Sequence, residues 1–234
     1  MSTAGRVVVV TGAAGALGRA VAAAFAAAGD RLVLIDVRRE ALTAAFGDDS
    51  ARQWLAAADL RVQAEVDAVV AGALQRFGRI DVLCNVAGGF RMGEAVHETG
   101  DDTWNFLFDL NARSVVHMAR AVVPAMLRNG RGAIVNVAAR AALAGAGSMG
   151  AYVASKSVVV RLTETMAAEL RERGINVNCV LPSIIDTPDN RAAMPDADPS
   201  RWVATEDLAQ VMLFLASDAA RAVHGAALPV SGLS

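Results

Sequence analysis

The sequence predicts an α/β protein built on a doubly wound parallel sheet of about seven strands, with helices on both faces. Short β-branched runs alternate with Ala-rich stretches of helical period along the whole chain, a pattern typical of strand–helix–strand units. The strand runs are apolar at nearly every position, which indicates parallel strands buried on both faces. Glycines at 29, 78, 130 and 174 end four of the helical stretches, as expected for left-handed helix caps.

The elements follow one another in a regular order. Seven runs rich in Val, Leu and Ile are predicted strands, because such side chains fit a buried pleated surface: Val7–Val10, Arg31–Ile35, Gln53–Ala57, Val82–Asn85, Ala133–Val137, Asn176–Leu181 and Leu228–Val230. Seven stretches with apolar residues at helical spacing are predicted helices: Ala16–Ala28, Arg38–Phe46, Val62–Phe77, Asp101–Leu110, Ala112–Arg128, Ala151–Glu172 and Thr205–Ala216. Composition does not shift along the chain, so we predict one domain over residues 1–234.

Composition and charge exclude several classes of function. The chain has 22 basic and 24 acidic residues, so it lacks the basic field that nucleic-acid binding needs. No apolar run is long enough to span a bilayer and the first residues do not resemble a signal peptide, so we expect a cytoplasmic protein without a membrane partner. Cys84 and Cys179 lie in apolar strand runs and are expected to be buried, reduced thiols. The three histidines lack partners at ligand spacing, so no metal site is expected.

Residues 182–202 form the one stretch predicted to be irregular, and they hold four of the six prolines. The stretch follows the carboxyl end of a predicted strand, where ligands of open α/β sheets bind. Long loops in that place are often functional. We therefore expect a substrate lid, with a plain surface excursion as the alternative.

A glycine-rich turn joins the first strand to the first helix at Thr11–Gly18. Such a turn lets the backbone approach a pyrophosphate, whose charge the helix N-terminus stabilises. Asp36 ends the second strand, eighteen residues after Gly18 (36 − 18). A carboxylate there accepts hydrogen bonds from the adenosine ribose and repels a 2′-phosphate, which favours NAD(H) over NADP(H). Arg38 and Arg39 favour NADP(H) instead, because arginines near this corner can bind the 2′-phosphate. The alternative is that both are solvated residues in the first turn of the next helix.

Tyr152 and Lys156 lie four residues apart on a predicted helix, so their side chains share one face. An adjacent ammonium favours the phenolate, so the pair is expected to perform acid–base chemistry nearer neutrality. Tyr152 is also the only tyrosine of the sequence. The alternative is a surface tyrosine and lysine that are neighbours by chance.

Four motifs in this order resemble the short-chain dehydrogenase/reductase family: Thr-Gly-x₅-Gly at 11–18, Asn-Val-Ala-Gly at 85–88, Tyr-x₃-Lys at 152–156 and Pro-x₄-Thr at 182–187. The resemblance covers nearly the whole chain. It implies a Rossmann-type fold, a nicotinamide cofactor, a small-molecule substrate and a homodimer or homotetramer built on helices 112–128 and 151–172.

The resemblance also implies the roles of individual residues. Catalysis falls to Tyr152 and Lys156, with Asn111, 41 residues before the tyrosine (152 − 111), holding a water for proton relay. Lys156 is also expected to bind the nicotinamide ribose. The implied cofactor contacts are Thr11, Gly12, Gly15, Ala16, Leu17, Gly18, Asp36, Asp59, Leu60, Asn85, Ala87, Gly88, Tyr152, Lys156, Pro182, Ile185 and Thr187.

One family residue is missing. The serine expected 13 residues before the tyrosine (152 − 13) is Ala139, so a donor that normally stabilises developing charge on the substrate is absent. Either Ser148 replaces it, or the substrate needs less assistance, or catalysis is lost.

Quinonoid dihydropteridine reductases, a branch of the same family, also lack that serine, and the segments at 139–145 and 181–202 resemble theirs. The resemblance implies NADH-dependent reduction of a quinonoid dihydropterin-like ring. Phe90 is then expected to stack on a flat substrate, and Asn190 to contact its polar groups. The alternatives are a general alcohol or ketone dehydrogenase, and a catalytically weak NAD-binding sensor.

Overall fold

A seven-stranded parallel sheet forms the centre of the protein, in a computed structural model that describes residues 5–234. Its strands are β1 (Val7–Thr11), β2 (Arg31–Asp36), β3 (Gln53–Ala57), β4 (Val82–Asn85), β5 (Gly132–Val137), β6 (Ile175–Pro182) and β7 (Ala227–Val230). The spatial order is β3-β2-β1-β4-β5-β6-β7. All seven predicted strands are confirmed. The first four residues of the domain predicted over 1–234 lie outside the described range.

The helices within the described residues are α1 (Ala16–Ala27), α2 (Arg39–Phe46), α3 (Gln63–Phe77), α4 (Asp101–Phe108), α5 (Ser114–Asn129), α6 (Gly150–Leu170), α7 (Pro188–Ala193) and α8 (Thr205–Leu215). The seven predicted helices are confirmed, with ends shifted by at most two residues. Only α7 was not predicted. No helix in residues 5–234 is both long and apolar enough to cross a membrane.

The four valines of β1, residues 7–10, face two different cores in turn. Val8 and Val10 face a core formed with α1 and α8, while Val7 and Val9 face a second core formed with α3 and α5. All four side chains are fully buried, because successive strand residues point to opposite faces and helices cover both. The expected fold class, a Rossmann-type sheet with helices on both sides, is confirmed.

The strand order reverses direction at β1, which pairs with β2 on one side and with β4 on the other. Chain connections therefore leave the sheet in opposite directions at this point. A crevice opens beyond the carboxyl ends of these strands, where open α/β sheets bind their ligands. The loops after β1, β2, β3 and β4 all reach this edge.

The stretch 182–202 is more ordered than the sequence predicted. Thr187 caps α7 through Oγ1, which accepts the backbone N–H of Asn190 at 3.2 Å. Ile185 pairs with Val203 in a parallel bridge, and Trp202 is buried. The prolines of this stretch argued against a helix in the sequence. Pro188, however, occupies the first position of α7, where proline is well tolerated.

Cys84 and Cys179 are buried and free, which confirms the expected thiols. Burial raises the pKa of Cys84 to about 12 and that of Cys179 to about 11. Both thiols therefore stay protonated at neutral pH.

Candidate active site

The turn after β1 has the shape of a phosphate cradle. Gly12 adopts a φ of 61°, and a Cβ on it would lie 2.8 Å from Ala87 Cα. A Cβ on Gly18 would lie 2.2 Å from Gly12 O. Helix α1 starts at Ala16 after the N-cap Gly15, and no side chain caps it. The first helical N–H groups thus remain open to an anion, which fits the pyrophosphate of a dinucleotide.

Asp36 lies at the end of β2, beside this turn. Its carboxylate accepts the backbone N–H of Ala14 at 3.1 Å and that of Val37 at 2.8 Å. Arg39, one of the two arginines near this corner, donates to Leu55 O and pairs with Asp49 at 3.1 Å. Its guanidinium is therefore held against β3 and the loop before it.

The loop after β3 carries Asp59 and Leu60. Both carboxylate oxygens of Asp59 accept from Arg61: Oδ1 from Nε at 2.9 Å and Oδ2 from Nη2 at 2.7 Å. This side-chain hydrogen bond holds the pKa of Asp59 below its usual range. Leu60 is buried, and its carbonyl oxygen lies 2.9 Å from Nδ1 of His117.

Buried side chains join the loop after β4 to the neighbouring strands. Thr11 Oγ1 accepts the N–H groups of Val86 at 3.0 Å and Ala87 at 3.1 Å. Asn85 donates to Asn136 Oδ1 at 2.8 Å. The hydroxyl of Thr11 therefore fixes the β4 turn against the glycine-rich turn, a role that its place in the motif did not reveal.

Asn111 lies in a π-helical turn, Asp109–Arg113, between α4 and α5. Such wider turns recur at functional sites. Its Oδ1 accepts Gly89 N–H at 2.8 Å, and its Nδ2 donates to Gly89 O at 3.0 Å and to Ser155 Oγ at 3.0 Å. Ser155 in turn donates to Tyr152 O at 2.8 Å. Sequence reasoning missed Ser155, whose only signal was a hydroxyl one helical turn after the tyrosine.

Gly88 lies where Asn111 and Lys156 meet. A Cβ at this position would lie 3.0 Å from both Asn111 Oδ1 and Lys156 Nζ. Lys156 is buried, and its Nζ donates to Val137 O at 3.0 Å. Tyr152 packs edge-on against Phe90, with ring centroids 4.8 Å apart and an interplanar angle of 87°. The structure thus gathers Asn111, Lys156 and Gly88, and places Phe90 against the tyrosine.

The predicted effect of Lys156 on the tyrosine pKa is wrong. Burial raises the pKa of Tyr152 to about 12 and lowers that of Lys156 to about 8. In both cases removal from water disfavours the charged form. The Lys156 ammonium is directed at the carbonyl of Val137, so desolvation controls the pKa of the phenol.

The predicted substrate residues have different environments. Ala139 is buried two residues after the end of β5 (139 − 137) and directly precedes a short 3₁₀ turn, Arg140–Leu143. Ser148 adopts a φ of 59°, and its carbonyl accepts the N–H of Gly93 at 2.8 Å. It lines a cleft of about 170 Å³ whose other walls include Arg91, Glu94 and Thr103, but not Tyr152.

The predicted contacts that follow β6 occupy the first part of the loop. Pro182 ends the strand, Ile185 forms the bridge described above, and Thr187 caps α7. Asn190 donates from Nδ2 to Ile185 O at 2.8 Å, so its amide nitrogen is used within the loop. In the described residues no group of three or more His, Cys, Asp or Glu side chains is placed to hold a metal ion.

Comparison with known proteins gives the chain its family. A family profile described as short chain dehydrogenase matches residues 6–198. The D-threitol dehydrogenase of Mycolicibacterium smegmatis is 35% identical over 240 residues, covering 97% of this chain and 92% of that protein.

Two solved structures share the fold over almost the full length. The 3-ketoacyl-(acyl-carrier-protein) reductase of Brucella melitensis, solved with NADH, has a TM-score of 0.89 at 30% identity and covers 98% of both chains. The L-sorbose reductase of Gluconobacter frateurii, solved with NADPH and L-sorbose, has a TM-score of 0.90 at 30% identity, covering 99% of this chain and 97% of the other. The chain therefore belongs to the short-chain dehydrogenase/reductase family of oxidoreductases.

Proposed function

We propose that this protein is an NAD(H)-dependent oxidoreductase that reduces a small conjugated substrate, with Tyr152 as the proton donor. The observation that supports this best is the convergence of Asn111 and Lys156 on Gly88, with Ser155 linking Asn111 to the tyrosine turn. Lys156 is the only lysine among the 22 basic residues of the chain. Arginine does not lose its proton in proteins, so Lys156 is the one cationic side chain other than histidine that can titrate near neutral pH.

A nicotinamide cofactor supplies the hydride when it is bound. The protein then has to deliver a proton to the reduced group. Burial raises the pKa of Tyr152 to about 12, so its hydroxyl stays protonated at neutral pH and suits the donating role. Lys156, with its pKa lowered to about 8, exchanges protons near neutrality. Asn111 holds the backbone of Gly89 in place, because its side-chain amide bonds both the N–H and the carbonyl of that residue.

NAD(H) is favoured over NADP(H) by the two side chains at the corner of β2. The Asp36 carboxylate lies beside the glycine-rich turn, where it would repel a 2′-phosphate. Arg39 is held by Leu55 and Asp49, away from a phosphate-binding role. We expect wild-type protein to bind NADH at least about tenfold more tightly than NADPH. The Asp36→Asn variant should narrow this ratio, whereas the control Glu40→Gln, which neutralises an exposed carboxylate on α2, should not.

The substrate is proposed to be a flat, electron-poor ring such as a quinonoid dihydropterin. Ala139 provides no hydroxyl for a substrate carbonyl, which favours a reaction that is intrinsically easy. Reduction that restores ring aromaticity meets this condition. Phe90 is 55% exposed and contacts the Tyr152 ring edge-on, which leaves an aromatic surface for stacking beside the proton donor.

A second candidate is a dehydrogenase of alcohols or ketones. The similarity to D-threitol dehydrogenase and to L-sorbose reductase favours it. In that case a bound water takes the place of the missing hydroxyl, or Ser148 does so after a rearrangement of its loop.

One assay separates the candidates. NADH oxidation is followed with freshly generated quinonoid dihydropterin and, in parallel, with a panel of ketones and sugars. We expect turnover of the pterin, reduced about 10²- to 10⁴-fold in Tyr152→Phe. We also expect Ala139→Ser to add activity toward secondary alcohols. Turnover of ketones alone would instead support the second candidate. Bound NADH with no turnover of any acceptor would indicate a dinucleotide-binding sensor.

A further inference from the structure

One helix contacts two of the loops at the crevice edge. His117, in the first turn of α5, is buried, and its Nδ1 lies 2.9 Å from Leu60 O in the loop after β3. A carbonyl oxygen can only accept, so Nδ1 must carry the proton of this bond. The buried polar contact joins residues 57 positions apart.

A second, weaker connection runs alongside the first. Gln63, at the start of α3, donates from Nε2 to His117 O at 3.4 Å. Arg120 donates to Gln63 Oε1 at 3.1 Å. The start of α3 is therefore joined to α5 through both the backbone and the side chain of the same helical turn.

The other end of this helical segment holds the loop after β4. Asn111, six residues before His117 (117 − 111), makes a two-bond contact with the backbone of Gly89. The segment 111–117 thus fixes the loops after β3 and β4 relative to each other. These loops carry Asp59, Leu60 and Gly88, which the family resemblance implies as contacts of the dinucleotide.

We propose that His117 is a positioning residue that sets dinucleotide affinity by holding the carbonyl of Leu60. This inference rests on the proposed function. Without the bond, the loop at Asp59–Leu60 is free to shift, and the adenine end of the cofactor loses a preformed surface. The reacting groups at Tyr152 are held by other contacts, so the rate at saturating cofactor should not change.

The test compares His117→Leu, which removes the donor, with His117→Asn, whose side-chain amide offers an N–H at a similar distance. Val122→Ala is the matched control, because Val122 is fully buried on the same helix but packs in the sheet core. NADH affinity is measured by the fluorescence of the bound cofactor. The rate is measured at saturating NADH with whichever acceptor the protein turns over. Folding is checked by thermal denaturation. His117→Phe serves as a second variant that keeps a buried aromatic ring but lacks the donor.

We expect His117→Leu to weaken NADH binding by about three- to tenfold, the effect of losing one buried hydrogen bond. His117→Asn should restore most of the affinity, and the saturated rate should stay within about twofold of wild type. Unchanged NADH affinity in His117→Leu would overturn the inference, as would an equal loss in Val122→Ala. If His117→Leu does not fold, unchanged NADH affinity in His117→Phe would overturn the inference instead. Failure of wild-type protein to bind NADH would instead refute the proposed function itself.

Discussion

Gly18 provides the sharpest test of the phosphate cradle. An Ala at this position would put Cβ 2.2 Å from Gly12 O, 2.7 Å from Ala13 Cα and 2.8 Å from Ala13 O. All three are backbone atoms, and the shortest contact is closer by about 1 Å than normal packing allows. The turn must therefore open, at a cost of about 3 kcal/mol, the upper range for overpacking. For a chain of this length that lowers Tm by about 6–12 °C.

Gly15→Ala is the matched control for this prediction. A Cβ on Gly15 would meet only Gly12 O, at 3.3 Å, and its φ of −70° suits any residue. We expect a loss below about 1 kcal/mol, or about 2–4 °C. Calorimetry of both variants without cofactor measures the difference. Equal Tm values for Gly18→Ala and Gly15→Ala would refute the steric account of the turn.

Three further predictions concern a buried charge, a buried hydroxyl and the assembly. Burial lowers the pKa of Lys156 from 10.5 to about 8, so the unfolded chain binds more protons between these values and this group makes stability rise with pH across that window. In denaturant unfolding, the stability of the wild type relative to Lys156→Met should therefore increase with pH across that window, and a pH-independent difference would contradict the prediction. Thr11→Val leaves the N–H groups of Val86 and Ala87 without their acceptor and should cost about 2–4 kcal/mol, while Thr11→Ser should stay near wild type in the same unfolding experiment. The family resemblance predicts at least a dimer through α5 and α6, so sedimentation should give more than a monomer mass. Val116→Asp, at an exposed position on α5, should reduce that mass, and a monomeric wild type would end this prediction.

The sheet was predictable because its signal is local and repeated. The four valines of β1, residues 7–10, separate into two cores, so their composition alone indicated burial on both faces. The glycines after α1, α3 and α5 have positive φ angles, as their positions predicted. Helix α7 was not predictable in the same way, because prolines obscure a short helix whose order depends on the cap at Thr187.

The candidate site was predictable in its residues but not in their connections. Motif spacing pointed to Asn111, Tyr152 and Lys156, yet it carried no information on Ser155 or on the buried partner of Lys156. These contacts join residues as far as 44 positions apart, and they depend on how α4 and α5 meet at the π-helical turn. The prediction for the pKa of Tyr152 was wrong for the same reason, because desolvation depends on the packed protein and not on sequence neighbours.

The chain contains one tyrosine and one lysine, and both are in the candidate site. A near-ultraviolet tyrosinate signal therefore comes from Tyr152 alone, without any substitution. Amine-directed acylating reagents likewise have a single side-chain target, Lys156, which is buried in the folded protein. Ionisation of the phenol and accessibility of the amine can thus be followed in the unaltered protein, while cofactor or substrate is added.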